Sequence, residues 1–167
     1  MILCGIDNGV TNNGIGAVTP DGRGLLFKLP IKKERSYTKE KKNISRIDYP
    51  KLVEIFNKIK ALFPGEEVVA ILERPMVNSR RFTASMSAMR SVECVQIALE
   101  ECKIEYSFID SKIWQHSLLP PGTKGDQLKV ESLRVGKELF PYLPFKKDAD
   151  GILIAEYHRR KHMGLCS

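Results

Sequence analysis

An apolar run that meets a carboxylate occurs three times in this chain, and that recurrence limits how the chain can fold. Ile2-Leu3-Cys4-Gly5-Ile6 ends in Asp7, and Asn8-Gly9 then turns. Val68-Val69-Ala70-Ile71-Leu72 ends in Glu73, and Asp148-Ala149-Asp150-Gly151 opens onto Ile152-Leu153-Ile154-Ala155. A carboxylate at the end of a buried element is costly to leave uncompensated. A fold that brings the three places together supplies hard oxygen ligands to a divalent ion. The alternative is local: Glu73 pairs with a basic side chain, and Asp148 favours a helix N-terminus.

The remaining pattern says which elements carry these acids. Residues 2–7, 15–19 and 24–29 read as strands, joined at Asn8-Gly9, Asn12-Asn13-Gly14 and Pro20-Asp21-Gly22, which makes an antiparallel meander. Residues 32–46 have few large apolar side chains and read as an exposed, mobile loop. Asp48 then caps a helix whose Leu52, Ile55, Phe56, Ile59, Leu62 and Phe63 recur at helical spacing until Pro64-Gly65. The unbroken apolar run before Glu73 suits a strand covered on both faces. A long helix over 81–101 carries Met86, Met89, Val92, Val95, Ala98 and Leu99 on one stripe, with Ala84, Ala88, Cys94 and Ile97 off it. A short strand follows at 105–109, then a turn that Asp110 or Ser111 caps and that places Trp114 in the core. A helix runs from a cap at Asp126 to about Leu139, and a last one covers about 147–161. The order βββαβαβαα describes an α/β fold: a mixed five-stranded sheet, three antiparallel strands then parallel additions, flanked by helices. The first and fourth strands then lie side by side, with Asp7 and Glu73 on one rim.

The 167 residues suit a single domain spanning 1–167, and 43% hydrophobic residues are enough for its core. No apolar run approaches the roughly 20 residues of a membrane span, and nothing resembles a signal peptide, so a soluble intracellular protein with no membrane partner is expected. Cys4, Cys94, Cys102 and Cys166 lack metal-ligand spacing and read as reduced thiols. Of the formal charge of +7, the stretch 32–46 holds +5: Lys32, Lys33, Arg35, Lys39, Lys41, Lys42 and Arg46 against Glu34 and Glu40. Such a block suits a polyanion such as nucleic acid, or else is a solvated loop. His158 and His162 have the spacing of a metal pair but no third ligand, and Arg159-Arg160-Lys161 between them favours a basic helix end. His116 stands alone.

Gly5-Ile6-Asp7-Asn8-Gly9 followed by Gly14-Ile15-Gly16-Ala17-Val18 resembles the opening of the RuvC group of Holliday junction resolvases. Leu72-Glu73-Arg74-Pro75-Met76-Val77-Asn78 is similar to that group's second acidic motif, and Ala149-Asp150-Gly151-Ile152-Leu153-Ile154-Ala155 to its last. Ile109-Asp110-Ser111-Lys112-Ile113-Trp114, followed by Thr123-Lys124, resembles the stretch between them in phage and organellar relatives. The resemblance implies the ribonuclease H-like fold and Asp7, Glu73 and Asp150 as catalytic metal ligands. Bacterial members carry a further acid three residues before the last one. Lys147 stands there, and Asp148 takes its place as the fourth ligand. Two magnesium ions per site, with manganese as a substitute, clamp the attacking and leaving oxygens of a phosphodiester.

The activity implied is symmetric nicking of branched DNA, chiefly four-way junctions, by a homodimer, leaving 5′-phosphate and 3′-hydroxyl ends without a histidine base. The extra apolar face of helix 81–101 is the expected interface, the alternative being a buried core helix. DNA contacts are expected from Lys32, Lys33, Arg35, Lys39, Lys41, Lys42, Arg46, Asn78, Arg80, Arg81, Lys124 and Lys147. Lys146 and Lys147 either neutralise phosphate charge near the metals or are solvated. Met76 occupies the position of an aromatic wedge in bacterial relatives; Met76 or Phe82 either unstacks a base step or belongs to the core. The resemblance places the protein in the cytoplasm of a bacterial or phage-infected cell, nucleoid-associated when bound to DNA. Three rivals remain. The first is a nuclease of the same fold acting on other branched DNA or RNA–DNA hybrids. The second is a non-catalytic DNA-binding member, which the three retained acids oppose. The third is an actin-like ATPase, because Asp7-Asn8-Gly9-Val10-Thr11 resembles that group's first phosphate loop, though no second loop is found.

Overall fold

Successive side chains of a strand point to opposite faces of its sheet, and the first strand of this protein uses both faces. The computed structural model describes residues 1–9, 14–37, 39 and 41–165. Strands β1 (Ile2–Ile6), β2 (Gly14–Val18) and β3 (Gly24–Lys28) form the antiparallel meander. The turn expected at Asn12-Asn13 lies outside the described residues. Strands β4 (Ile31–Arg35) and β5 (Asn43–Ile47) form a separate antiparallel hairpin. Helix α1 (Tyr49–Leu62), strand β6 (Val68–Glu73), a 3-10 turn (Ser79–Arg81), helix α2 (Phe82–Glu101) and strand β7 (Glu105–Ile109) follow. Helices α3 (Ser111–Leu118), α4 (Gln127–Leu139) and α5 (Asp150–His162) complete the chain. The main sheet has the order β3-β2-β1-β6-β7, with β6 parallel to both β1 and β7. This is the mixed five-stranded α/β sheet expected.

Four local expectations are corrected. Residues 32–46 are not simply a mobile loop: Ile31 pairs across the hairpin with Ile47, whose buried side chain anchors its base in the core. Glu34 bridges Lys32 at 2.6 Å and Arg46 at 2.7 Å, relieving repulsion between those two directly paired cations. The turn carrying Trp114 is an eight-residue helix. The last helix begins at Asp150, not near Lys147, because two lysines oppose the positive end of a helix and an aspartate complements it. Asp48, Asp110 and Asp126 occupy the positions before their helices without a side-chain capping bond. Asp48 pairs instead with Lys51 at 3.1 Å, and Asp110 with Arg74 at 3.0 Å.

The sheet separates two apolar layers. Ile2, Cys4, Ile6, Ile15 and Ala17 pack against Leu52, Phe56 and Ile59 of α1 and Val95, Ala98 and Leu99 of α2. Leu3, Val18 and Ile71 face Trp114 of α3, Val135 of α4 and Ile152, Leu153 and Ile154 of α5. Trp114 is a core residue, as expected. The stripe of α2 is shorter than its spacing suggested: Met86 and Met89 are exposed, while Val92, Val95, Ala98 and Leu99 are buried. Cys4, Cys94 and Cys102 are free thiols, and Cys166 lies outside the described residues. No described helix is long and apolar enough to cross a membrane.

Helix α5 lies directly on the backbones of β1 and β2. Gly5 and Gly16 are cross-strand partners and both face it. A Cβ on Gly5 would lie 2.1 Å from the Gly151 oxygen, and one on Gly16 would lie 2.2 Å from the Ile152 Cα. The paired glycines are the groove in which the helix is seated.

Further along α5, Glu156 is buried and accepts from Arg159 at 2.7 and 2.9 Å and from Arg160 at 2.7 Å. Burial alone would raise this carboxyl, but the two guanidinium groups outweigh it and hold the group below its usual range. Glu156→Gln is expected to cost about 2–4 kcal/mol of stability in urea denaturation at pH 7. A depressed carboxyl stabilises above its unfolded pKa and loses that contribution as pH falls. The gap between variant and parent therefore closes below about pH 4.5, the ordinary value for glutamate.

Candidate metal centre

Strand parity aims the first two acids. Asp7 follows Leu3 and Gly5 on the odd positions of its strand, and Glu73 follows Val69 and Ile71; Leu3, Val69 and Ile71 all pack in the layer that holds α5. The register sets Ile6 beside Leu72, so Asp7 and Glu73 leave the sheet at adjacent points. Asp150 comes from the first turn of α5, whose contact with Gly5 and Gly16 brings its N-terminal turn to the same place. Asp148 precedes the helix.

The electrostatics records this convergence. Burial, then repulsion from Asp150, raises the Asp7 carboxyl to about 7, with Asp148 adding to the effect. Burial, then repulsion from Asp7 and Asp150, raises Glu73 to about 8. Asp148 is raised to about 6 by burial and by Asp150. Asp150 is raised by burial, an effect opposed by a hydrogen bond from Ser132 and by the charge of Lys129. Among the described residues Glu73 forms no ion pair; its partner is the Ser111 hydroxyl, which lowers its pKa. The local alternative of a Glu73 ion pair therefore does not hold.

Four half-buried carboxylates with one opposing lysine leave negative charge uncompensated, and their oxygens are the donors a hard divalent cation takes. The donor set thus fits magnesium or manganese. As they stand, no three His, Cys, Asp or Glu side chains among the described residues form a closed ligand group. Ser132 and Ser111 hold Asp150 and Glu73. Mutual pKa effects extend well beyond ligand distance, which reconciles the strong coupling with the open arrangement.

Sequence reasoning missed four residues here. Asn8 is buried, donates from Nδ2 to the Glu73 carbonyl at 2.7 Å and so ties the two acid-bearing strands together. Its Oδ1 is buried without a partner among the described residues. Ser132 donates to Asp150, and Lys129 acts on Asp7, Asp148 and Asp150. Lys129 and Ser132 are three apart on α4, a same-face spacing that carried no meaning until α5 was placed against it. Ser111, expected as a helix cap, instead serves Glu73.

The expected DNA contacts do not all stand alike. Lys33, Arg35, Lys39 and Lys41 are exposed and form no ion pair among the described residues, whereas Lys32 and Arg46 are engaged by Glu34. Lys42 is also exposed. Tyr37 at the hairpin tip accepts from Arg90 of α2 at 2.7 Å, with the guanidinium 5.5 Å from its ring centre. Met76 is 80% exposed and Phe82 69%, so neither is a core residue. The loop bearing Met76 is held at both ends. Arg74 pairs with Asp110, and Asn78 exchanges bonds of 2.8 and 3.0 Å with the Ser85 hydroxyl. The Asn78 side chain also accepts from the Arg80 amide at 2.9 Å, so its first role is to cap the 3-10 turn. Arg80, Arg81, Lys124, Lys146 and Lys147 are exposed. His158 is no metal ligand pair with His162: burial first, then Lys161 and His162, lowers it to about 4, and its Nε2 is buried without a partner among the described residues. Thr11 of the phosphate-loop resemblance lies outside the described residues.

Known structures share this architecture. Thermus thermophilus RuvC matches with a TM-score of 0.61 at 18% identity, over 100% of this chain and 99% of that one. The same protein in complex with a Holliday junction substrate matches at 0.61 and 15%, over 100% and 98%. The yeast mitochondrial Holliday junction resolvase matches at 0.52 and 15%, over 98% and 79%. No family model matches the sequence, and no curated protein matches it. The fold is that of RuvC, the ribonuclease H-like arrangement expected.

Proposed function

We propose that this protein is a metal-dependent endonuclease that nicks four-way DNA junctions at two symmetric strands. The observation that carries the reading is the convergence of Asp7, Glu73, Asp148 and Asp150 on one rim of a RuvC-type fold, each with a raised pKa. Bound divalent ions would activate water and stabilise the leaving 3′-oxygen. The chain's own groups prepare for this. Asp7 and Glu73 hold fixed positions on neighbouring parallel strands, linked by Asn8. Ser132 and Ser111 orient Asp150 and Glu73, and Lys129 tempers the charge of Asp7, Asp148 and Asp150. Met76, on its anchored loop, is the apolar side chain offered to an opened base step. Two copies joined through the exposed Phe82, Met86, Met89 and Ile97 of α2 would present two such centres to a twofold-symmetric junction.

The direct test compares a four-way junction with a linear duplex of the same sequences, with magnesium or manganese and with a chelator. Junction cutting that needs metal and leaves ligatable ends is expected; equal cutting of both substrates, or cutting under chelation, would sink the reading. The hairpin makes its own prediction. Replacing Lys33 and Arg35 by glutamine should weaken binding to junction and duplex alike, and should reduce the slope of log affinity against log salt by about 2. An unchanged slope removes the hairpin from the DNA contact.

A further inference from the structure

Beside the acidic centre lies a cavity of about 490 Å³ that the catalytic chemistry does not use. Its lining is apolar and partly aromatic, with Leu26, Phe27, Ile31, Pro144 and Phe145. Strand β3, which supplies Leu26, Phe27 and Lys28, is an edge of the main sheet. Three lysines stand in the lining, Lys28, Lys146 and Lys147. All three are exposed, and none forms an ion pair among the described residues. The single acid of the lining is Asp148, one of the four carboxylates of the metal centre.

We infer that this cavity is a nucleotide subsite, receiving the base next to the scissile phosphate while Lys28, Lys146 and Lys147 hold the adjoining phosphates. The inference rests on the nuclease reading and extends it to a contact that selects the cut site. A cavity of this volume falls in the range that encloses a small organic ligand. Aromatic and apolar walls accept any base face, since stacking does not depend on hydrogen-bond pattern. Three cations against one acid complement a phosphodiester chain better than a protein segment. Continuity with Asp148 places the occupant at the reacting strand. Lining one cavity gives Lys146 and Lys147 a shared target with Lys28.

The test is a junction series carrying one abasic site at each position around the cut, assayed with the parent protein, with Phe145→Ala, and with the surface double variant Lys28→Gln/Lys147→Gln. At one position the abasic site is expected to slow parental cleavage by about fivefold or more. Phe145→Ala should slow the intact junction to a similar degree and then show no further loss on the abasic one, as two changes at one contact are not additive. In parallel, 2-aminopurine at that position reports base capture by its fluorescence, in single strands as well as junctions, without cleavage. The signal should change on adding the parent protein and weaken in both variants, whose folding is checked by thermal melting. If Phe145→Ala fails to melt cooperatively, the double variant decides. Loss of metal-dependent cutting on every junction would defeat the nuclease reading, while the fluorescence arm would still judge the cavity. An abasic effect that persists undiminished in the variants, no sensitive position at all, or a fluorescence change that the variants retain would overturn the subsite. A change in self-association without a fluorescence change would assign the cavity to a second copy instead, and would overturn it equally.

Discussion

Asp7→Asn is expected to abolish junction cleavage and, under chelation, to make the protein more stable than its parent. Loss of the proposed central metal ligand should lower the cleavage rate by about a thousandfold or more. Junction binding, which we propose rests on lysines and arginines outside the acidic rim, should survive. The stability gain follows from linkage. Asp7 is raised to about 7 and Glu73 to about 8, in both cases first by burial. A group whose folded pKa lies above its unfolded value contributes stability that is fully present below the unfolded pKa, near 4 for these acids, and lost as pH rises through the folded one. By pH 8, with metal removed, the parent has lost that contribution from Asp7, and asparagine never depended on it. The full shift corresponds to roughly 4 kcal/mol, and partial exposure reduces the expected gain to about 1–3 kcal/mol. That is a rise of about 2–10 °C in melting temperature at pH 8, shrinking toward zero by pH 4. Magnesium should stabilise the parent more than the variant, because only the parent offers the full ligand set. A variant that melts below its parent at pH 8 with chelator would refute the crowded-carboxylate account; one that still cuts would refute the role of Asp7.

Gly5→Ala should be the most damaging single methyl group in the protein. The added Cβ meets the backbone of α5, the Gly151 oxygen at 2.1 Å and the Ala155 nitrogen at 2.6 Å, and the Ile154 Cβ at 2.8 Å. No flexible side chain can yield there, so either β1 or α5 must move. Gly16→Ala meets the Ile152 Cα and nitrogen at 2.2 and 2.3 Å and should behave alike. The expected loss exceeds about 4 kcal/mol in urea denaturation, above the usual cost of overpacking, because helix and sheet backbones are in direct contact. Gly65→Ala is the contrasting control. Nothing lies within 4 Å of its Cβ position, and only its φ of +83° resists a side chain. It should cost about 1 kcal/mol. Since α5 carries Asp150, any Gly5→Ala protein that does fold should also lose cleavage more than its residual stability explains. A Gly5→Ala loss below about 1 kcal/mol would mean that α5 is not seated on the paired glycines.

Much of this molecule was legible before its structure. The unbroken apolar run to Glu73 announced a strand covered on both faces, and β6 is that strand. Helical spacing announced α1 to within a residue. The acids were legible as well, because a carboxylate closing an apolar run is an anomaly that burial makes expensive. What the sequence determined by itself was therefore the period of each element and the oddity of Asp7, Glu73 and Asp150, both of which are local properties of the chain. Tertiary structure alone decided the rest. The hairpin β4–β5 hid inside a lysine-rich run because its stability comes from Ile31 and Ile47 meeting across strands and packing into a distant core. Asn8, Lys129 and Ser132 look ordinary in sequence; Asn8 matters only because β1 lies beside β6, 65 positions away, and Lys129 and Ser132 only because α4 sets them against acids 18 to 122 positions away. Met86 and Met89 fit the stripe of α2 but lie beyond the reach of the sheet, so spacing without a partner surface left them exposed. Periodicity records that a residue wants a neighbour; only the packing of α5 on paired glycines decides which neighbour it meets, and there the four carboxylates become one site.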